Sequence, residues 1–99
     1  MRRRDLLALA LGVGNDPVWI VAHRGAMRQA PENTIAAFEA AARAGADFVE
    51  LDVRETRDGQ LVLMHDATVD RTTNGRGAVA ELTRAEVQAP LFLDALRWA

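Results

Sequence analysis

The chain has 99 residues, 49% of them hydrophobic and 26% charged, with a formal net charge of -2 and no cysteine. That balance fits one small globular domain and excludes a disordered chain, a charge-driven nucleic-acid binder and any disulfide or thiolate metal site. The 99 residues are also too few to close an eight-stranded βα barrel, which takes roughly 200 or more.

Residues 1–16 form a basic and apolar N-terminal segment, with Arg2–Arg4 ahead of the run Leu6–Leu11. Two readings stand: a twin-arginine-like export signal, or a short amphipathic lead-in helix. Export would place the protein in the periplasm or outside a bacterium; otherwise it is cytoplasmic. The run falls short of the roughly 18 residues of a membrane span, so no transmembrane segment is expected. Asn15-Asp16-Pro17 is a turn signal, and the folded domain is assigned to residues 17–99.

Val18–Ala22 is a short apolar run of the kind found in strands buried on both faces, and it ends in His23-Arg24-Gly25. Pro31–Thr34 opens a helix with Asn33 or Thr34 as its cap. Ile35, Phe38, Ala41 and Ala42 make its apolar stripe, and Gly45 ends it. In Asp47–Glu55 the residues Phe48, Glu50, Asp52 and Arg54 share one face of a strand, and Val49, Leu51 and Val53 share the other. Strand, helix, strand implies a parallel βαβ unit. Thr56–Gly59 is a hairpin turn, and Leu61–Met64 is a third strand running into His65-Asp66. Thr68–Ala80 is a loop. Thr83 and Glu86 are spaced as a capping box for a helix to about Gln88. Pro90 breaks it, and Leu91–Ala99 forms a last helical turn or two.

The chemistry collects at strand ends. In parallel α/β architectures the carboxyl ends of strands gather at one rim, which brings together His23, Glu50, Asp52 and His65. Two inward carboxylates cost several kcal/mol each unless compensated. Either a divalent cation or an ion pair with Arg24 or Arg54 relieves that cost. The histidines are either structural or an acid/base pair suited to phosphodiester hydrolysis, with Arg24 holding a phosphate oxygen. Oxygen and imidazole donors favour Mg²⁺ or Ca²⁺ over a structural zinc.

Taken together, His23-Arg24-Gly25, Pro31-Glu32-Asn33-Thr34, Glu50-Leu51-Asp52-Val53, His65-Asp66 and Arg71-Thr72-Thr73 with Gly75 and Gly77 resemble the glycerophosphodiester phosphodiesterases over about residues 18–86. The resemblance implies an α/β fold, the N-terminal part of a TIM-type (β/α)8 barrel. It implies hydrolysis of a glycerophosphodiester substrate to an alcohol and sn-glycerol 3-phosphate with a divalent cation, Mg²⁺ or Ca²⁺. His23 and His65 match the family's acid/base histidines, Glu50 and Asp52 its metal carboxylates, and Arg24 its phosphate-contacting arginine. The family's third metal glutamate and following lysine have no match here. The resulting expectation is an incomplete barrel, inactive alone, with self-association through open sheet edges. The alternatives are a non-catalytic phosphate- or metal-binding remnant, or a phospholipase D-like relative.

Overall fold

The structure is a computed structural model that describes residues 7–13 and 20–99. Arg2–Arg4, the Asn15–Pro17 turn and the start of the Val18–Ala22 run lie outside the described residues. The described elements in chain order are β1 (Leu7–Gly12), β2 (Val21–His23), α1 (Ile35–Arg43), β3 (Phe48–Glu55), β4 (Leu61–Leu63), a 3₁₀ turn (Val79–Glu81), α2 (Arg84–Val87) and α3 (Phe92–Trp98). None of these helices is long and apolar enough to cross a membrane.

The four strands form one open sheet around β3. β1 runs antiparallel to it from Leu7 opposite Val53 to Gly12 opposite Phe48. β2 runs parallel, with Val21 opposite Phe48 and His23 opposite Glu50. β4 runs antiparallel, with Leu63 opposite Val53 and Leu61 opposite Glu55. Phe48 and Val53 each have two partners, so β1 takes one edge of β3 and β2 and β4 share the other. β2 comes in along the start of that edge and β4 along its end, from opposite directions.

Three expectations change here. The N-terminal apolar run forms a strand over Leu7–Gly12, not a lead-in helix, because an open edge of β3 offers it six residues of ladder. The described part of the Val18–Ala22 run is not buried on both faces: Ile20, just before β2, is 59% and Val21 52% exposed, since β2 lies at the outer limit of the sheet. β4 is antiparallel to β3, so parallel alignment does not bring His65 to the rim; the tight hairpin does. Thr56 N–H donates to the Gln60 carbonyl at 2.8 Å, and Gly59 takes the left-handed conformation (φ 78°) that the turn requires.

Alternation on β3 drives the packing. Val49, Leu51 and Val53 are fully buried against Phe38 and Ala41 of α1, Leu63 of β4 and Ala95 of α3. The Trp98 ring closes this layer on Phe38, with centroids 5.7 Å apart. Opposed residues of an antiparallel pair share a face, so Val62 faces the side of Arg54. There Val62 and Met64 build a second core with Val69, Val79, Val87 and Ala89. The loop after β4 is therefore packed, and a Thr68–Ala78 bridge ties its ends.

α1 is capped by Thr34, whose Oγ1 accepts from Ala37 N at 3.2 Å, while Asn33 serves elsewhere. Ala44 and Gly45 (φ 96°) end the helix as expected. Between β2 and α1, Arg24 (φ 57°) and Gly25 (φ 83°) reverse the chain. A Cβ on Gly25 would stand 2.8 Å from Ala37 Cβ and 2.9 Å from the Ala37 carbonyl carbon. Gly25→Ala is therefore both strained and overpacked, and should cost about 2–3 kcal/mol. A urea melt with an unchanged midpoint in the variant would contradict this.

Candidate active site

Glu50 and Asp52 lie on the polar face of β3, two residues apart, as alternation requires. Asp52 sits where β2 has ended and β4 has not begun. Its carbonyl accepts from Met64 N at 3.0 Å, and its N–H, with no strand to meet, donates to Asn33 Oδ1 at 3.0 Å. Asn33 Nδ2 in turn donates to Asp52 Oδ2 at 3.0 Å. The two residues are only 3% and 2% exposed. Asn33 reaches them from a left-handed conformation (φ 55°) that asparagine tolerates better than most residues. Its amide thus completes the ladder and fixes the carboxylate with one side chain.

Arg24 lies against the same carboxylate, with Nε 3.5 Å from Asp52 Oδ2 and an Nη 3.5 Å from Glu32 Oε2. By distance the first contact is an ion pair. It is not a directed hydrogen bond, because the buried Nε has no hydrogen-bond partner. His23 pairs through Nδ1 with Glu50 Oε1, directly across the β2–β3 register.

His65 is held at two points. Arg54 donates from Nε (2.9 Å) and from an Nη (2.7 Å) to the His65 carbonyl. The ring Nδ1 lies 2.9 Å from Asp66 Oδ1. Asp66 is gripped by Arg71, through Nε to Oδ2 at 2.8 Å and an Nη to Oδ1 at 3.1 Å. The same guanidinium reaches Glu32 at 2.7 and 3.0 Å. The forked hydrogen bonds from Arg71 hold the Glu32 and Asp66 carboxyls below the usual carboxylate range, and the two carboxylates raise Arg71 in return.

The structure thus joins His23 to Glu50 and Arg24 to Asp52, and ties Met64, the residue before His65, to the Asp52 carbonyl. From the sequence alone Glu32, Asp66 and Arg71 carry no individual role, and Asn33 is one of two candidate caps beside Thr34. The available signal was the asparagine between Glu32 and the true cap, Thr34. A cavity of about 300 Å³ opens between the Pro31–Thr34 turn, Met64 and Thr72-Thr73, but His23, Glu50 and His65 lie outside it. The rim itself is an open surface, with the His23 side chain 53% exposed.

Glu50 and Asp52 offer the hard oxygen donors that Mg²⁺ or Ca²⁺ takes. Among the described residues no group of three or more such side chains is spaced to hold a metal ion. The two carboxylates therefore fit a hard cation in donor chemistry, and as two donors they would account for part of a coordination shell at most.

Sheet and rim together define an α/β protein that carries imidazoles, carboxylates and a guanidinium at the edge of an open sheet. Residues 23–90 match the glycerophosphoryl diester phosphodiesterase family, and the chain belongs to that family. It is 56% identical over 69 residues to a glycerophosphodiester phosphodiesterase of Caldanaerobacter subterraneus, a match covering 70% of this chain and 28% of that protein. Among solved structures it is similar to a glycerophosphodiester phosphodiesterase from Agrobacterium tumefaciens (57% identity, TM-score 0.67, 69% of this chain and 30% of that one). It is also similar to an Oleispira antarctica phosphodiesterase in complex with the product sn-glycerol-3-phosphate (34% identity, TM-score 0.74, 82% and 39%). The open sheet is an incomplete part of the TIM-type barrel of these relatives. The chain spans between about a quarter and a third of the length of the curated relatives it matches first.

Two outcomes follow. Asn33→Ala strands the buried Asp52 N–H and frees its carboxylate, and should lower stability by about 2 kcal/mol; a denaturant titration measures it. The Glu32 and Asp66 groups sit lower in the folded state than in the unfolded chain. Their stabilisation is therefore present above the unfolded carboxylate range and lost as pH falls through the folded values. The wild-type urea midpoint should drop on acidification toward about pH 3, and drop less in Arg71→Gln. Equal drops would contradict the bridge.

Proposed function

We propose that this rim belongs to a metal-dependent hydrolase of glycerophosphodiesters, yielding an alcohol and sn-glycerol 3-phosphate. The observation that carries the reading is the pairing of His23 with Glu50 and of Arg24 with Asp52 at one gap in the sheet, with His65 beside it, inside the stretch that matches the family.

Arg24 binds a phosphoryl oxygen through its planar donors. One of the two histidines takes the proton from the attacking oxygen, and the other returns one to the leaving oxygen. Glu50 and Asp52 would hold the cation, Mg²⁺ or Ca²⁺, which would supply charge to offset that on the phosphoryl oxygens. Asn33 and Arg54 position this machinery and exchange no proton.

The 99-residue chain is proposed to bind without turning over. Its rim is open to water, whereas phosphoryl chemistry draws its rate from preorganised donors in an enclosed site. Calorimetric titration with sn-glycerol 3-phosphate should give heat that requires Ca²⁺ or Mg²⁺ and weakens about tenfold in Arg24→Ala. Absence of heat with either ion overturns the reading. Turnover of glycerophosphocholine that vanishes in His23→Ala would support the reading and overturn the expectation that the chain alone is inert.

A further inference from the structure

Arg71 lies outside the proton-transfer scheme, yet it makes four hydrogen bonds to two carboxylates from separate segments. Both Asp66 oxygens accept from it, Oδ2 from Nε and Oδ1 from an Nη. A carboxylate whose two oxygens each accept a guanidinium N–H is ionised and has no proton to donate. The contact between Asp66 Oδ1 and His65 Nδ1 therefore has only one polarity: Nδ1–H donates and the carboxylate accepts. The neutral ring then carries its lone pair on Nε2.

We propose that Arg71 is a positioning residue that fixes the tautomer of His65 through Asp66, leaving Nε2 as the atom that exchanges the proton with substrate oxygen. The proposal rests on the hydrolase reading above for its purpose, but not for its geometry. In a neutral, unanchored imidazole either nitrogen can bear the hydrogen, and the ring turns about its side-chain bonds. Here Arg54 fixes the His65 backbone, Asp66 fixes the ring, and Arg71 fixes Asp66. Glu32, 39 residues away in sequence, anchors Arg71 from the other side of the rim. Nε2 then carries His65's half of the exchange, taking the proton of the attacking hydroxyl as base or, protonated there, giving one to the leaving oxygen as acid, while His23 takes the opposite half, so one proton is accepted for each one given.

The test is a long-range proton–nitrogen correlation spectrum of the chain labelled with ¹⁵N-histidine, recorded at about pH 8, above the ordinary imidazole range. The wild type should show His65 almost wholly as the Nδ1–H tautomer. In Arg71→Gln the Nε2–H fraction should rise several-fold, while the His23 signals, which belong to the Glu50 pair, stay in place. Should Arg71→Gln fail to fold by circular dichroism, Arg71→Lys is read instead. Lysine keeps the charge but cannot fork both carboxylates, so a smaller shift in the same direction is expected. A wild-type His65 in the Nε2–H form or as a mixture overturns the proposal. So does an Arg71 variant with an unchanged tautomer, or one in which His23 moves as much as His65. Cation-dependent binding of sn-glycerol 3-phosphate is measured on the same samples. Binding with the wrong tautomer sinks only the role of Arg71, and the right tautomer without binding sinks only the functional reading.

Discussion

The rim depends on a gap in a ladder. β2 and β4 approach along one edge of β3 from opposite directions and stop short of each other at Asp52. Backbone N–H and C=O groups buried there must be satisfied, at about 1–3 kcal/mol for each one left unmade. Met64 supplies the donor for the carbonyl, and the Asn33 side chain supplies the acceptor for the N–H. Had β2 run two residues further, its backbone would have covered the gap and Asn33 would have had nothing to do. Because it stops, His23 stands at one lip and His65 at the other. The two histidines follow strand ends that point at each other, which differs from the parallel alignment by which strand ends usually meet in α/β sites.

The gap also shows what compensates the Asp52 carboxyl for its near-complete burial. Taking a carboxylate out of water costs several kcal/mol unless hydrogen bonds and an opposite charge compensate. Asn33 provides the first and Arg24 the second, the latter at ion-pair distance without a directed bond. Around the rim as a whole, Glu32, Glu50, Asp52 and Asp66 face Arg24, Arg54 and Arg71. Arg71 is fully engaged by two carboxylates and Arg54 by a backbone carbonyl. Glu50 is left with a histidine as its partner. Carboxylate is thus in excess where Glu50 and Asp52 adjoin, which supports the cation reading on electrostatic grounds.

Much of this was legible in the residues themselves. Alternation in Asp47–Glu55 assigned both faces of the central strand, and Asp58-Gly59 announced the hairpin that sets its register. Helix caps at Thr34 and Gly45, and the box at Thr83 and Glu86, follow from local chemistry that a few residues specify; the Glu86 carboxylate does accept from Thr83 N and Oγ1 at 3.0 and 2.8 Å. What stayed hidden depends on partners far along the chain. Asn33 reads as a candidate cap on a par with Thr34 because its real partner is 19 residues away. Arg71 reads as a loop arginine because Glu32 is 39 residues away. The run at Leu7–Gly12 has no helical or strand period strong enough to decide between the two, and an edge of β3 decided it.

The second core is what makes the long-range part of the rim possible. An arginine on a free loop would spend more in side-chain ordering than an exposed ion pair returns, typically 0–1 kcal/mol. Arg71 is not on a free loop. Val69, two residues before it, is fully buried with Val62, Val79 and Val87, and the Thr73 N–H and Oγ1 both donate to the Val69 carbonyl. The backbone that carries Arg71 is therefore ordered by apolar burial before any charge is paired. Its guanidinium then needs only its own torsions fixed to reach Glu32 and Asp66 together. Loosening the second core, at Val69 or Val79, would act on the rim through this route without touching a charged residue.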